Sequence, residues 1–367
     1  MTPLSASVRT DRLRQRRRAW ALGLGLLLAC LVLTVVGLGV GSTGWSPVWT
    51  LWTPSGLGGT PSSTLTGALA ADAMDLELGR QILWDIRAPR TLGALAGGAL
   101  LGLAGAVAQG LFRNPLADPF LLGSASGATL GVASALSVMG LGPGVGLATS
   151  GWAVRLGLTG TAFVGSVSAV LLTLALARGV QHTLRLLLAG VVVGVVLGAL
   201  SSLVTLLSPD ILQAMQGFML GTTGFVGWPA LGVMAAVGVP CLVIALALSR
   251  MLDGLSLGEA TAASLGLPLG ALRVALVAVL ALATGTAVAQ TGLIAFVGLA
   301  APHLVRSAVK TTHAPLLALS CLMGGVLLLL ADTLARGVMA PQELPVGVLT
   351  AVLGGGYLLW LMHRRVG

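Results

Sequence analysis

From residue 19 to residue 363 the chain is a train of apolar runs, each about twenty residues long, with its few charges gathered mostly in the turns between them. A helical run of about twenty residues crosses the hydrocarbon core of a bilayer. Lipid offers no partner to a backbone amide or carbonyl, so such runs must be helices that satisfy their own hydrogen bonds. The runs fall at 19–40, 91–111, 118–138, 152–177, 186–207, 226–249, 271–291, 293–309, 314–333 and 346–363, about ten in all. The expected fold class is an all-α polytopic membrane protein. Charged residues make up 8% of the chain, against about 25% in soluble proteins, which leaves no room for a sizeable soluble domain.

Residues 1–18 are a polar tail carrying Arg9, Arg12, Arg14, Arg16, Arg17 and Arg18. A basic tail ahead of an apolar run can open a signal peptide. Here the run Ala19–Val40 is longer than a signal core, and Ala68-Leu-Ala70 lies too far downstream to be its cleavage site. The reading is a cytoplasmic tail, a retained first span, and one transmembrane domain over 19–367. Residues 42–86 form the long outer loop, rich in Gly, Ser, Thr and Pro and then acidic at Asp72, Asp75, Glu77 and Asp85. With the N-terminus inside, five of the 20 Lys and Arg face out (Arg80, Arg87, Arg90, Arg155, Arg336) and the rest face the cytoplasm. That bias obeys the positive-inside rule and implies an even number of spans with both termini cytoplasmic. The net charge of +9 then reads as anchoring to anionic lipid, not as nucleic-acid binding. Cys30, Cys241 and Cys321 fall singly inside apolar runs and read as small packing residues.

The stretch from Arg87 to Gly131 organises the rest. Arg87-Ala-Pro-Arg90 stands at one water boundary and Arg113-Asn-Pro-Leu-Ala-Asp-Pro119 at the other. Between them Gly93–Gln109 is built of Gly, Ala, Leu and Val, the small residues that let helices approach closely in lipid. Ala106-Val-Ala-Gln109 recurs as Ala287-Val-Ala-Gln290, and Leu116-Ala-Asp-Pro119 recurs as Leu299-Ala-Ala-Pro302. The echoes lie five spans apart, hence in opposite orientation, which predicts an inverted internal repeat.

No Asp, Glu, Lys, Arg or His falls mid-membrane; Asp332 lies near the end of its span. Ion-coupled carriers ordinarily use such residues, and that class is disfavoured. His182, His303, His313 and His363 scatter over separate cytoplasmic turns and read as interfacial residues, and no metal-ligand cluster is seen. A phosphate loop of the Gly-x4-Gly-Lys-Ser/Thr type is absent, so any drive from ATP must come from another subunit. The segment 250–268 could receive it. Ser256 can cap a helix with Glu259 three residues on, Gly266-Leu-Pro268 ends it, and Leu257, Ala260, Ala263 and Ser264 form a small, weakly apolar face.

Taken together these motifs resemble the permease family of type II ABC importers, which take up iron–siderophore complexes, haem and vitamin B12. The likeness runs from about Ile86 to Met362 and includes Leu186-Leu-Leu-Ala-Gly190, Gly292-Leu-Ile-Ala-Phe-Val-Gly-Leu299, Pro302-His303, Ala331-Asp-Thr-Leu-Ala-Arg336 and Glu343-Leu-Pro-Val-Gly347. It implies ten helices per subunit and a homodimer with the path at its interface. It further implies two ATPase subunits that bind ATP and Mg, a periplasmic binding protein, and a bacterial inner-membrane location. The chain itself would bind no cofactor and do no chemistry. By the same resemblance Arg87, Arg90 and Arg336 would pair with carboxylates of the binding protein, and Asn114, Pro115 and Leu116 would close the cytoplasmic gate. Leu257, Gly258, Glu259, Ala260, Leu265 and Gly266 would form the coupling helix, and Ser201, Ser202, Thr205, Met215 and Met219 would line the path. Arg185, at the cytoplasmic end of its span, is placed to meet carboxylates such as haem propionates. The expected cargo is haem or an iron–siderophore complex, with cobalamin as the alternative. An ion-coupled secondary transporter is the competing class. Val309-Lys-Thr-Thr-His313-Ala departs from the family's Gly-x-Asp-His-Arg, so no role passes to His313, and Gly354-Gly-Gly-Tyr357 replaces a Gly-x-Pro-Phe bend.

Overall fold

The computed structural model describes residues 3–41, 44–45, 77–140, 152–177 and 183–366. Most of the 42–86 loop, with Asp72 and Asp75, lies outside the described residues, as do Arg178 and His182. Helix α1 (Pro3–Gly39) begins with Pro at its first position, where a missing N–H costs nothing. The basic tail is not a separate element, because its Arg, Gln, Leu and Ala are helix formers with no breaker among them, so it continues the first span. A pair of two-residue strands, β1 (Val40–Gly41) and β2 (Gly44–Trp45), follows in antiparallel register. The second span also starts earlier than its hydropathy indicates. Residues 77–87 are already helical, with a π-helical turn at Ile82–Arg87 leading into α2 (Ala88–Phe112).

Every predicted run has a helical counterpart. After α2 come α3 (Ser124–Met139), α4 (Trp152–Leu176), α5 (Thr183–Leu207), the short α6 (Leu212–Leu220) and α7 (Trp228–Ala247). Then follow α8 (Ser249–Ser256), α9 (Glu259–Ser264), α10 (Leu269–Thr291), α11 (Val297–Ala308), α12 (His313–Gly337) and α13 (Val346–Val366). Seven of the described helices are long and apolar enough to cross a bilayer. The run at 293–309 is different. Its helix α11 has 12 residues, about 18 Å, too short to cross. The chain leaves α10 at Gly292 (φ +69), passes through Phe296 in the left-handed region (φ +68) and only then re-enters a helix. Non-helical backbone at this depth is tolerated where protein satisfies it. Here Leu293 N donates to Phe218 O (3.0 Å) and Thr222 N to Thr291 O (2.8 Å), so α6 and its exit cover the break.

The packing agrees with an inverted repeat. Exchanging α2 with α10, α3 with α11 and α4 with α12 maps neighbours onto neighbours. The α2–α12 pair answers to α10–α4, α3–α4 to α11–α12, and α2–α11 to α10–α3, with α2 against α10 at the centre. The halves meet backbone to backbone. A Cβ on Gly98 would stand 2.2 Å from Gly324 O, one on Gly102 2.1 Å from Ser320 O, and one on Gly105 1.7 Å from Gly298 O. Gln109 Nε2 donates to Leu299 O at 3.1 Å, tying the first echo of the repeat to the second. Cys30 and Cys241 are buried, Cys321 is half-buried, and all three are free thiols.

Overpacking a core typically costs about 1–3 kcal/mol, and a clash with backbone leaves less to give. We expect Gly105→Leu to lower the thermal transition of the detergent-solubilised protein or abolish monodisperse elution. Gly25→Leu on α1, where an added Cβ meets nothing within 4 Å, should leave both unchanged.

Candidate functional site

Polar side chains gather at the two ends of α2. At its N-terminal end Asp332, wholly buried in α12, lies between two guanidinium groups. Arg90 donates to Asp332 Oδ1 through Nε (3.3 Å) and Nη2 (3.2 Å), and Arg336 Nη2 stands 2.6 Å from Oδ2. Thr223, in the turn between α6 and α7, also donates to Asp332 Oδ1. The outer nitrogen of Arg90 reaches Glu343 at 2.9 Å, in the loop before α13. Arg336 Nη1 donates to Gly37 O (2.9 Å) and Val40 O (3.0 Å), and Arg87 Nη1 donates to Leu38 O (3.1 Å). These are carbonyls at the end of α1 that the helix cannot satisfy itself, and the negative end of its dipole favours a cation. Gly37 and Gly41 make room: a Cβ on Gly41 would stand 2.4 Å from Arg87 Nη2. Beside the cluster Trp228 Nε1 donates to Trp84 O at 2.9 Å, and the two indoles pack at 4.8 Å, as aromatic residues do at a membrane boundary.

The expectation of outward-facing arginines is corrected here. Arg87, Arg90 and Arg336 are 7%, 8% and 1% exposed, and each is committed to groups of its own chain. A guanidinium left in an apolar wall is costly unless paired, and Asp332 and the α1 carbonyls supply the partners.

At the other end of α2 the chain turns at Arg113 (φ 50). Asn114 N donates to Gln109 O (3.2 Å), and Asn114 Oδ1 accepts from Leu116 N (3.0 Å). Asn114, Pro115 and Leu116 are exposed, so the segment read as a gate lies at the surface of the single chain. The segment 250–268, read as carrying the coupling helix, forms two helices and reaches the turn through the contact of Glu259 with Arg113. Leu257 and Gly258 (φ +110, a glycine conformation) separate α8 from α9. The expected Ser256 cap is not made: Ser256 Oγ donates back to Asp253 O at 2.6 Å. Glu259 instead meets Arg273 Nη2 at 2.6 Å and Arg113 Nη2 at 3.5 Å. Asp253 Oδ1 accepts from both the backbone N (2.9 Å) and Nδ1 (2.6 Å) of His313, binding α8 to the start of α12. Leu257 and Leu265 are 65% and 63% exposed, and Ala260 and Gly266 are exposed with them. The reading of His303 as an interfacial turn residue is also corrected. It lies within α11, buried, its Nδ1 3.1 Å from Tyr357 Oη.

Of the residues read as lining a path, Arg185 and Ser202 on α5 and Met219 on α6 are exposed, and Thr205 is half-buried. Ser201 and Met215 are buried at 4% and 2%. Met215 packs with Ile211, Leu158 and Val288 and fills a helix contact within the chain. Much of α5 is uncovered in the single chain: Leu188, Val192, Val195, Leu203 and Leu206 each expose about half or more of their surface. Sequence reasoning missed Asp332, Thr223 and Arg273 as partners. The signal for the first was present, a carboxylate four residues before an arginine on one helix face.

The model of the FecCD transport family matches residues 25–364. The vitamin B12 import system permease proteins BtuC of Salmonella paratyphi A and Salmonella typhimurium are each 41% identical over 287 residues, covering 78% of this chain and 85% of theirs. Among solved structures, a metal-chelate-type ABC transporter in an inward-facing conformation superposes with a TM-score of 0.76 at 28% identity. It covers 93% of this chain and 98% of its own. PsaBC from Streptococcus pneumoniae shares the fold at a TM-score of 0.53 and 17% identity, over 74% and 88% of the two chains.

Removing the carboxylate from between two buried arginines should cost about 3–5 kcal/mol. The half-exposed outer pair should be worth about 0–1 kcal/mol. We therefore expect Asp332→Ala to destabilise the detergent-solubilised protein far more than Glu343→Gln, read as thermal transitions side by side.

Proposed function

The chain belongs to the FecCD transport family, and on that premise we propose that it is the permease subunit of an ATP-driven importer in a bacterial cytoplasmic membrane. It would move a bulky metal chelate from the periplasm to the cytoplasm, with both termini inside. The observation that carries this is the α8–α9 segment. A short helix anchored by ion pairs presents Leu257 and Leu265 to water at one end of the bundle. Exposed leucines on a held scaffold suit a groove on a partner. That partner would be the ATPase, two copies of which would bind ATP and Mg and drive the cycle.

A second copy of this chain would cover part of the bare face of α5, and the path would run between the copies past Arg185, Ser202, Thr205 and Met219. Lipid would cover the remaining outer faces. On the opposite face the periplasmic binding protein would dock over the surface that Arg87, Arg90 and Arg336 hold together from beneath. The relatives named for vitamin B12 support cobalamin as cargo. The metal-chelate-type neighbour also supports haem or an iron–siderophore complex, the cargo the sequence motifs suggest first. Apart from Arg185 at its cytoplasmic end this lining carries no charge, which suits all three, since a large ligand must pass without being held.

The test is reconstitution of this chain with its cognate ATPase and binding protein in liposomes, offering cobalamin, haem and a ferric siderophore in parallel. Uptake of one of them that requires both ATP and the binding protein is expected. Uptake that ignores ATP and follows an imposed ion gradient would overturn the importer reading and restore the ion-coupled carrier.

A further inference from the structure

We propose that Glu259 is a two-armed latch that carries movement of the ATPase-docking segment to the cytoplasmic gate turn. This rests on the reading of Leu257–Gly266 as the docking segment and Asn114–Leu116 as the gate. The geometry makes Glu259 the junction between them. It is the first residue of α9, directly after Gly258, whose φ of +110 marks the joint between α8 and α9. Its single oxygen Oε1 makes both contacts, the two arms of the latch: Arg273 Nη2 at 2.6 Å and Arg113 Nη2 at 3.5 Å. Arg113 is the residue that turns the chain out of α2, and Asn114-Pro115-Leu116 follow it directly.

The arms differ in kind. Arg273 is 3% exposed within α10, so its arm is short and shielded. The Arg113 side chain is 40% exposed and its arm is long. A shielded pair resists separation, whereas an exposed one exchanges readily with water. Glu259 is thus fixed to α10 and releasable from the gate turn. The segment has a matching division. α8 is pinned to α12 through Asp253 and His313, while α9 lies beyond the Gly258 joint with Leu257 and Leu265 exposed on either side of Glu259. A partner resting on Leu257 and gripping Leu265, the leucine beyond the joint, would swing α9 about it, lengthening or closing the Arg113 arm and freeing or holding the gate turn.

The test uses Arg113, whose exposure keeps folding out of the question. In the reconstituted complex, Arg113→Gln should leave ATPase co-purification intact and raise ATP hydrolysed per ligand imported by about fivefold, the low end of coupling between sites. Arg113→Lys, which keeps the charge, should recover most of the loss. The ligand is whichever of cobalamin, haem or ferric siderophore the wild-type complex imports. An unchanged ATP-to-ligand ratio in Arg113→Gln, with ATP-dependent uptake in wild type, would sink the latch and leave the importer reading standing. Loss of the ATPase from the purified variant would also sink it, because Arg113 would then be a docking residue. Failure of the wild-type chain to bind or couple to the ATPase would instead remove the reading on which the latch rests.

Discussion

Backbone contact between α2 and its neighbours is the constraint on which the other features depend. Between helices in lipid there is no water to expel, so association must come from close packing and from hydrogen bonds. At Gly98, Gly102 and Gly105 the backbone of α2 meets that of α12 and α11 with no room for a single methyl group. This helix of the first half is thereby locked to two helices of the second, and Gln109 adds a hydrogen bond across the same seam. The helix so fixed has Arg90 near one end and Arg113 at the other. Both polar clusters are positioned by this one seam.

Asp332 shows how the fold tolerates charge in an apolar wall. Arg90, Arg336, Asp332 and Glu343 sum to zero, and the buried carboxylate is gripped from two helices and a turn. Arg336, one of the two arginines on Asp332, also serves the open end of α1, with Arg87 beside it. That matters because α1 is otherwise largely exposed to its surroundings. Its hold on the bundle is polar at one end, where two guanidinium groups supply donors to its last carbonyls. Glycines at 37 and 41 let those groups approach.

The existence of the spans was legible because a bilayer needs about twenty apolar residues and polar turns stand out against them. Their limits were less so. The helix formers of the basic tail and residues 77–87 extend helices past their apolar limits, and α11 is shorter than its apolar run because the break that begins at Gly292 continues through Phe296 inside it. The inverted repeat was visible in two short echoes, and the pairing of helices agrees with it. Side-chain roles were legible by end and not by direction. Arg87, Arg90 and Arg336 do gather at one end, but nothing local to Arg90 reveals a carboxylate 242 residues away. Ser201 on α5 turned inward for a related reason. In a helix that is apolar all round, hydropathy gives no periodicity from which a face can be read.

The two ends of α2 are built to different rules, and the difference fits a machine driven from one side. At the Arg90 end the carboxylate at the centre is fully buried, and its contacts bind α2, α12 and the α6–α7 turn into one unit. Opening such a cluster would strand charges in an apolar wall, so this end should move as a body. At the Arg113 end the carboxylate is a third exposed, sits on a six-residue helix behind a glycine joint, and shares one long contact with a turn that is itself at the surface. Water can replace that contact at little cost. On the proposed reading a push delivered there would shift the turn without breaking the α2 seam, and α2 would carry the tilt across to the far cluster. The glycine seam and the buried ion pairs hold α2 along its length, and in the proposed cycle α2 would be the lever and the long contact at Glu259 the place where it is pushed.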